Sequence, residues 1–260
     1  MMVSRPPPAP VVVPFEALLF DLDGTLIDST NAVVQHWQRI GKELGIDPNV
    51  ILQTAHGRRT FDTLKIICPE KATMEYATEI EKSIPENYGS DATVICGARE
   101  MLDSVTAAGL PWAIVTSASL PLLNGWVRVL DLPACPHLVT AESVEDGKPD
   151  PAGYLLGMKK LAAMMMDKSP AGCCVVFEDS PAGIRAAKTA GCKVVALATS
   201  HTAEQVAEAE PDWIVDDFRS VALVQLNGGG KALQISDYIA RGPQLHSSGV
   251  VVGIEGLRTT

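Results

Sequence analysis

Short apolar runs rich in β-branched residues recur along the chain, and the segments between them space their apolar residues as helices do. Runs this short and this apolar are typical of parallel strands that are buried on both faces of a sheet. Their alternation with helices predicts an α/β fold built on a doubly wound parallel sheet. The predicted strands are 17–20, 112–115, 137–139, 174–177, 193–197 and 213–215.

One interval breaks this alternation. Residues 29–95 carry helical spacing near 33–44, 61–68 and 72–83, but no convincing buried strand. The interval begins just after the first predicted strand and the Asp-x-Asp that follows it. We therefore expect a small helical cap over 29–95, inserted directly above the end of that strand, where a lid belongs.

The remaining segments of the chain are assigned from their composition. Residues 1–14 are rich in proline and lack the apolar run of a secretory signal, so we expect a flexible lead-in. The sheet domain then comprises 15–28 and 96–240. Within its extension, 219–240, apolar residues on both sides of three consecutive glycines predict a hairpin. Residues 241–260 are rich in small residues, and we expect a weakly ordered tail.

Composition and charge exclude several classes of protein. The 260 residues are 47% hydrophobic and 20% charged, as in globular proteins, and the formal charge is −10. A nucleic-acid or anionic-membrane binder would need a basic footprint that is missing here. No apolar run reaches the ~18 residues of a membrane span. The six cysteines lack the spacing of a disulfide framework, which favours buried thiols in a reducing cytoplasm.

The residues best suited to chemistry lie at or just beyond the carboxyl ends of predicted strands. That edge is where open α/β sheets bind ligands, so residues distant in sequence are expected to meet there. They comprise two acidic pairs, a hydroxyl pair and a lysine: Asp21 and Asp23, Glu178 and Asp179, Thr116 and Ser117, and Lys148. The sequence therefore predicts one polar site above the sheet.

This set of side chains suits a phosphate. Asp21 and Asp179 would repel each other unless a divalent cation lay between them, and oxygen ligands suit Mg²⁺. One aspartate could then attack phosphorus as a nucleophile, while another protonates the leaving oxygen and later activates water. A bare Asp-x-Asp also fits a strand followed by an Asp-Gly turn. Only the accompanying residues favour the functional interpretation.

The same motifs, in the same order, resemble those of the haloacid dehalogenase superfamily. The resemblance covers roughly residues 15–218 and rests on four separated motifs: Asp21-Leu22-Asp23-Gly24-Thr25, Thr116-Ser117, Lys148-Pro149 and Glu178-Asp179. It implies a Rossmann-like core, a helical cap inserted after the first motif, dependence on Mg²⁺ and an aspartyl-phosphate intermediate. Stretches such as His56-Gly57-Arg58-Arg59-Thr60 and Ile84-Pro85-Glu86-Asn87-Tyr88-Gly89 are similar to fungal glycerol-phosphate and 2-deoxyglucose-6-phosphate phosphatases.

The resemblance also implies a role for each motif residue. Asp21 would be the nucleophile and Asp23 the acid and base. Binding of the phosphoryl group would fall to Thr116, Ser117 and Lys148. Metal binding would fall to Asp21, Asp23, Asp179 and Glu178. In the cap, His56 and Arg59 would contact the substrate.

The function predicted from the sequence is a Mg²⁺-dependent phosphatase of small sugar or polyol phosphates. A β-phosphoglucomutase-like phosphotransferase shares every core motif and stays an alternative, as does a non-catalytic protein that binds a phosphorylated metabolite. We expect a small phosphorylated metabolite as partner, with neither nucleic acid nor membrane. The oligomeric state stays open, although cap closure over one site needs only a monomer. No role is predicted for His36, His137 or His201.

Overall fold

The computed structural model describes residues 8–55, 57–165, 174–240 and 251–252. Its strands are β1 (Val11–Pro14), β2 (Ala17–Phe20), β3 (Ile27–Asp28), β4 (Thr93–Val94), β5 (Trp112–Val115), β6 (Leu138–Val139), β7 (Cys174–Glu178), β8 (Lys193–Leu197), β9 (Trp213–Val215), β10 (Val221–Leu226), β11 (Lys231–Ile235), β12 (Ile239–Ala240) and β13 (Val251–Val252). Its helices are α1 (Thr30–Leu44), α2 (Pro48–Ala55), α3 (Thr60–Ile67), α4 (Met74–Tyr88), α5 (Ala98–Ala107), α6 (Leu120–Val129), α7 (Ala152–Leu161), α8 (Pro181–Thr189) and α9 (Ala203–Ala207).

The main sheet has seven strands in the order β12-β9-β8-β7-β2-β5-β6. Six of them run parallel, and β12 pairs antiparallel with β9 at one edge. The predicted α/β class and doubly wound parallel sheet are therefore confirmed. Because β2 lies between β7 and β5, the chain crosses to either side of its first core strand. In such sheets a crevice opens at the strand ends, at the point where the strand order reverses.

Alternate residues of β2 face opposite layers, as strand geometry requires. Leu18 and Phe20 join an apolar cluster that includes residues of α5 and α6. Ala17 and Leu19 join a second cluster with residues of α7 and α8. All four residues are fully buried, and the ring of Phe20 stacks on that of Phe177 with centroids 5.0 Å apart. Burial on both faces holds the first core strand rigidly beneath the predicted site.

A second sheet, ordered β1-β11-β10-β13, joins an early strand to a late hairpin. Val11 pairs with Ile235, and β10 pairs antiparallel with β11. The prediction of a flexible lead-in is therefore wrong for Val11–Pro14. Three consecutive valines favour a strand there, and the hairpin edge supplies the partner. Residues 1–7 of the predicted lead-in lie outside the described residues. The predicted tail, 241–260, also lies outside them apart from β13.

Four helices, α1 to α4, lie between β3 and β4, and these two short strands pair with each other. The helices enclose their own apolar cluster, which includes Trp37, Ile40, Ile51 and Leu64. Helix α2 was not predicted, because Ile51 is its one buried residue and leaves little periodicity. Helix α4 continues to Tyr88, beyond the predicted 72–83, and includes Pro85. Among the described residues, no helix has the length and apolar character needed to span a membrane.

Candidate active site

Three neighbouring strands, β5, β2 and β7, end at the predicted site. Thr116 follows β5 directly, Asp21 follows β2, and Asp179 follows β7, so topology brings the three side chains to one edge. Lys148 reaches the same place from the loop before α7. One cavity is lined by six of the predicted residues: Asp21, Asp23, Thr116, Ser117, Lys148 and Asp179. The structure therefore brings these six residues together, while their catalytic roles stay predictions.

Lys148 connects two of the acidic groups. Its Nζ lies 2.5 Å from Oδ1 of Asp21 and 2.6 Å from Oε1 of Glu178, and the lysine side chain is only 7% exposed. Burial alone would lower the pKa of Lys148. The two facing carboxylates outweigh burial and raise that pKa above its ordinary value. The ammonium is therefore a permanent positive charge on the floor of the cavity.

Glu178 is fully buried, and both of its carboxylate oxygens already accept hydrogen bonds. Oε1 accepts from Lys148 and from the hydroxyl of Tyr154 at 3.0 Å. Oε2 accepts from the backbone N–H groups of Asp179 and Ser180, each at 2.9 Å, and from the Ser180 hydroxyl. Helix α8 packs against the Glu178 carboxylate at Gly183. Only glycine fits there, because a Cβ on this residue would lie 1.6 Å from Oε1. Glu178 therefore holds Lys148 in place.

The two aspartates that follow β2 lie in different surroundings. Burial raises the pKa of Asp21 to about 7, with Lys148 opposing the shift and Glu178 and Asp23 adding to it. Burial also raises the pKa of Asp23, and a hydrogen bond from the Ser29 hydroxyl, 2.6 Å from Oδ1, opposes it. One carboxylate faces a cation and the other a neutral hydroxyl. The two carboxyl groups therefore lie in different electrostatic environments, as they must if they are to have different roles in acid–base chemistry.

Asp179 is held by residues that sequence reasoning did not single out. The hydroxyl of Thr25 donates to Oδ1 at 3.0 Å, and the hydroxyl of Ser200 donates to Oδ2. Gly24, at φ +88°, lets the turn pass beside this carboxylate, where a Cβ would lie 2.1 Å from Oδ2. Ser200 lies just beyond β8, so its position at a strand end was a signal available in the sequence.

The acidic residues form a site that fits a divalent cation. One carboxylate oxygen each from Asp21, Glu178 and Asp179 lies within 4.8 Å of the others. Burial, followed by the negative charges of Glu178 and Asp21, raises the pKa of Asp179 well above its ordinary value. A buried acidic cluster with this shortage of positive charge suits a hard cation with oxygen ligands. Asp21 and Asp179 fit that role better than Glu178, whose two oxygens accept five hydrogen bonds, whereas each oxygen of Asp179 accepts one.

Thr116 and Ser117 both line the cavity. The Thr116 hydroxyl accepts from the backbone N–H of Ala118 at 3.0 Å. The Ser117 hydroxyl donates to the backbone carbonyl of Gly57 at 3.1 Å, which ties the strand end to the loop between α2 and α3. In this arrangement both hydroxyls stabilise backbone, and a bound phosphate would compete for the proton of Ser117.

The cavity lies between the strand ends and the helical insertion and has a volume of about 130 Å³. Its exposed lining is mostly apolar, with side chains from α1, α2, α4 and α6 forming the walls: Val33, Val34, Trp37, Leu52, Ile84 and Leu122. The insertion is docked onto the sheet domain. Glu81 of α4 accepts from the backbone N–H of Ser119 at 2.8 Å, and a Cβ on Gly125 of α6 would lie 2.6 Å from Cγ of Pro85.

Arg59 is not among the residues that line this cavity, and its predicted contact with the substrate stays a prediction that this geometry does not favour. Its side chain is 4% exposed, and all five of its N–H donors are engaged. Two bond to Asp62, at 2.6 and 3.1 Å. Three bond to the backbone carbonyls of Ala141, Val144 and Glu145, at 3.3, 3.0 and 2.9 Å. Those carbonyls belong to the loop that leads to Lys148, so Arg59 fastens the insertion to that loop.

Two further residues of the loop between α2 and α3 bear on the predicted substrate contacts. Arg58 is exposed and does line the cavity, although it was not predicted to. His56 lies outside the described residues. The sequence marked the right segment of the insertion but not the residue that faces the cavity.

We expect Arg59→Lys to weaken the attachment of the insertion. A lysine ammonium has three donors on one atom and cannot span Asp62 and three carbonyls. Buried acceptors left unpaired should lower the free energy of unfolding by about 1–3 kcal/mol, measured by urea denaturation. Arg185→Lys, at an exposed arginine of α8, is the control and should change nothing. A direct substrate contact would instead raise KM at unchanged stability, and that result would contradict the assignment.

Comparison with known proteins adds information about family. A family model described as Haloacid dehalogenase-like hydrolase matches residues 18–197. Glycerol-1-phosphate phosphohydrolase 1 of Saccharomyces cerevisiae is 33% identical over 237 residues, which cover 88% of this chain and 94% of the yeast protein. 2-deoxyglucose-6-phosphate phosphatase 2 of the same yeast is 31% identical over 236 residues, covering 86% of this chain and 96% of its own length.

Among solved structures, a putative beta-phosphoglucomutase from Thermotoga maritima is similar, with a TM-score of 0.57. It is 26% identical, and the match covers 77% of this chain and 94% of that protein. The chain is therefore similar both to proteins named as phosphatases and to one named as a putative mutase.

Proposed function

The chain belongs to the haloacid dehalogenase-like hydrolase family and is a phosphoric monoester hydrolase, and from that premise we propose that its substrates are small sugar or polyol phosphates. The observation that carries the proposal is the contact of Lys148 with Asp21, beside Asp179, on the floor of a cavity that Asp23 also lines. A phosphate bound there would meet a cation, a nucleophile and a proton donor together.

We assign the nucleophilic attack to Asp21. Lys148 binds Oδ1, which leaves Oδ2 to attack phosphorus and form an aspartyl-phosphate while the bond to the leaving oxygen breaks. The lysine also offsets the negative charge of the phosphoryl oxygens as they approach a carboxylate. The fixed contact with Glu178 keeps the ammonium in this position throughout.

We assign proton transfer to Asp23. Its raised pKa keeps a proton on the carboxyl group at a pH at which an exposed aspartic acid has lost it, so it can protonate the leaving oxygen. The ionised Asp23 then accepts a proton from the water that attacks the aspartyl-phosphate. That second displacement releases inorganic phosphate and restores both aspartates. Ser29 orients the group by donating to Oδ1.

We propose that Mg²⁺ is held by Asp21, Asp179 and the backbone carbonyl of Asp23. Glu178 lies within reach of the same position and contributes negative charge there. The ion, when bound, supplies positive charge that stabilises the phosphoryl oxygens in the transition state. Thr25 and Ser200 fix the orientation of the Asp179 carboxylate in advance.

The size of the cavity favours a short carbon chain. Its volume of about 130 Å³ is smaller than the roughly 300–1,000 Å³ typical of sites for drug-sized ligands. We therefore rank glycerol phosphate above 2-deoxyglucose 6-phosphate as the substrate. The reaction takes place on a small metabolite, and we place the enzyme in the cytoplasm as a monomer.

A panel assay of inorganic phosphate release tests this function. We expect glycerol 1-phosphate to give the highest kcat/KM, ahead of 2-deoxyglucose 6-phosphate and glucose 1-phosphate. Chelation with EDTA should abolish turnover, and excess Mg²⁺ should restore it. Release from none of the esters in the presence of Mg²⁺ would refute the proposal.

A mutase is the second candidate, because the Thermotoga maritima structure shares the fold at 26% identity. The glucose 1-phosphate arm of the panel separates the two reactions. Stoichiometric release of inorganic phosphate from this ester is expected of a phosphatase. Its conversion to glucose 6-phosphate without release would instead favour the mutase.

A further inference from the structure

His36 is a buried polar group in a cavity wall that is otherwise mostly apolar. It lies on α1 and is one of the residues that line the cavity above Asp21 and Asp23. Its side chain is fully buried, and its ring contacts Trp37 edge-on at a centroid distance of 5.3 Å. The phosphate-binding groups lie at the opposite boundary, on the strand ends. His36 therefore lies on the side of the cavity formed by the insertion, where the organic portion of a substrate would lie.

Both nitrogens of this imidazole lack a hydrogen-bond partner among the described residues. Burial, followed by the positive charge of Arg39, lowers the pKa of His36 to about 3. The ring is therefore neutral at physiological pH, with one N–H donor and one acceptor nitrogen. A buried donor and acceptor without partners destabilise the protein, so a feature of this kind calls for an explanation.

The other polar side chains around the cavity are differently placed. Ser29 donates to Asp23, Ser117 donates to the backbone, and Glu81 accepts from the N–H of Ser119. Of the described residues that line the cavity, His36 is the one whose buried side-chain polar atoms have no partner. The protein itself therefore leaves this position open to a polar group of a molecule bound in the cavity.

We propose that His36 determines specificity by binding a hydroxyl group on the carbon chain of the substrate. This inference rests on the proposed phosphatase function and narrows it to esters that carry a free hydroxyl. A hydroxyl can either accept from the imidazole N–H or donate to the unprotonated ring nitrogen, whereas a methylene can do neither. A site built to bind a hydroxyl discriminates strongly against the analogue that lacks it, because its own polar atoms then stay unpaired.

The test compares glycerol 1-phosphate with propyl phosphate, which has the same number of carbons and no hydroxyl. For the native enzyme we expect kcat/KM to favour glycerol 1-phosphate. In His36→Phe, which keeps a ring against Trp37 but has no nitrogen, this preference should fall by about 10- to 100-fold. The loss should appear only with glycerol 1-phosphate. His36→Asn, which restores a donor and an acceptor, should recover part of the preference.

His137→Phe serves as the matched control, since His137 lies away from the cavity and should leave the preference unchanged. An equal fall in activity towards both esters in His36→Phe would show a merely structural role and overturn the inference. An unchanged preference in that variant would overturn it too, while the phosphatase function would stand. If the native enzyme hydrolysed neither these two esters nor any other ester of the panel, the proposed function itself would be wrong.

Discussion

Asp21→Asn should reduce phosphate release by about four orders of magnitude or more, because an amide oxygen cannot serve as the nucleophile in the covalent step. The fold should survive. Burial raises the pKa of Asp21 to about 7 from 3.8, which means that the folded protein binds the proton more tightly than the unfolded chain does. In the absence of metal, ionisation of Asp21 therefore weakens folding as the pH rises through this interval. Asparagine removes the ionisation.

The measurement pairs the rate of phosphate release with urea unfolding of the metal-free protein at pH 8. We expect a free energy of unfolding equal to or above that of the native protein, alongside the loss of turnover. Asp28→Asn makes the same chemical change at an exposed position of β3 and should retain full activity. Native-like turnover by Asp21→Asn would rule out the covalent mechanism.

Lys148→Met should impair both activity and stability. The floor of the site would lose the positive charge that faces the phosphate, and we expect a fall of about 10²- to 10³-fold in kcat. Glu178, which is fully buried, would lose its cationic partner. Removal of one member of a buried ion pair costs about 3–5 kcal/mol in the free energy of unfolding, because the remaining charge is uncompensated. Urea denaturation and phosphate release measure the two effects.

A double variant separates these two consequences. Lys148→Met combined with Glu178→Gln leaves no uncompensated charge from Glu178, so it should regain part of the lost stability without regaining activity. Lys188→Met is the control. That half-exposed lysine pairs with Asp212 at 2.9 Å, and surface pairs contribute only about 0–1 kcal/mol. Full activity in Lys148→Met would show that the lysine serves only to neutralise Glu178.

The sheet and the edge that carries the site could be predicted from the sequence because burial on both faces leaves a simple signature. Each of the core strands is a short apolar run, and Asp21, Thr116 and Asp179 each follow one directly. Parallel topology then brings strand ends together whatever their distance in sequence. The resemblance to the haloacid dehalogenase superfamily, carried by the same motifs, is confirmed by the match over residues 18–197.

The contacts of the helical insertion could not be predicted in this way. Arg59 bonds to backbone carbonyls 82 to 86 residues away. Every residue has a backbone carbonyl, so the sequence does not indicate which ones will accept these bonds. An arginine near a phosphate site therefore suggested substrate binding. His36 occupies the buried face of α1, where a single histidine has no distinguishing pattern. Only the packing of the insertion against the sheet domain shows that its nitrogens have no partner among the described residues.

The pairing of Val11 with Ile235 links the order of synthesis to the order of folding. While the protein is being translated, β1 emerges from the ribosome early and has no partner until its hairpin edge has been made. Strand pairings that close so long a loop form slowly, and an unpaired strand edge is exposed to wrong partners in the meantime. The second sheet is therefore among the last parts of the molecule to be completed, and it joins an early segment of the nascent chain to a late one.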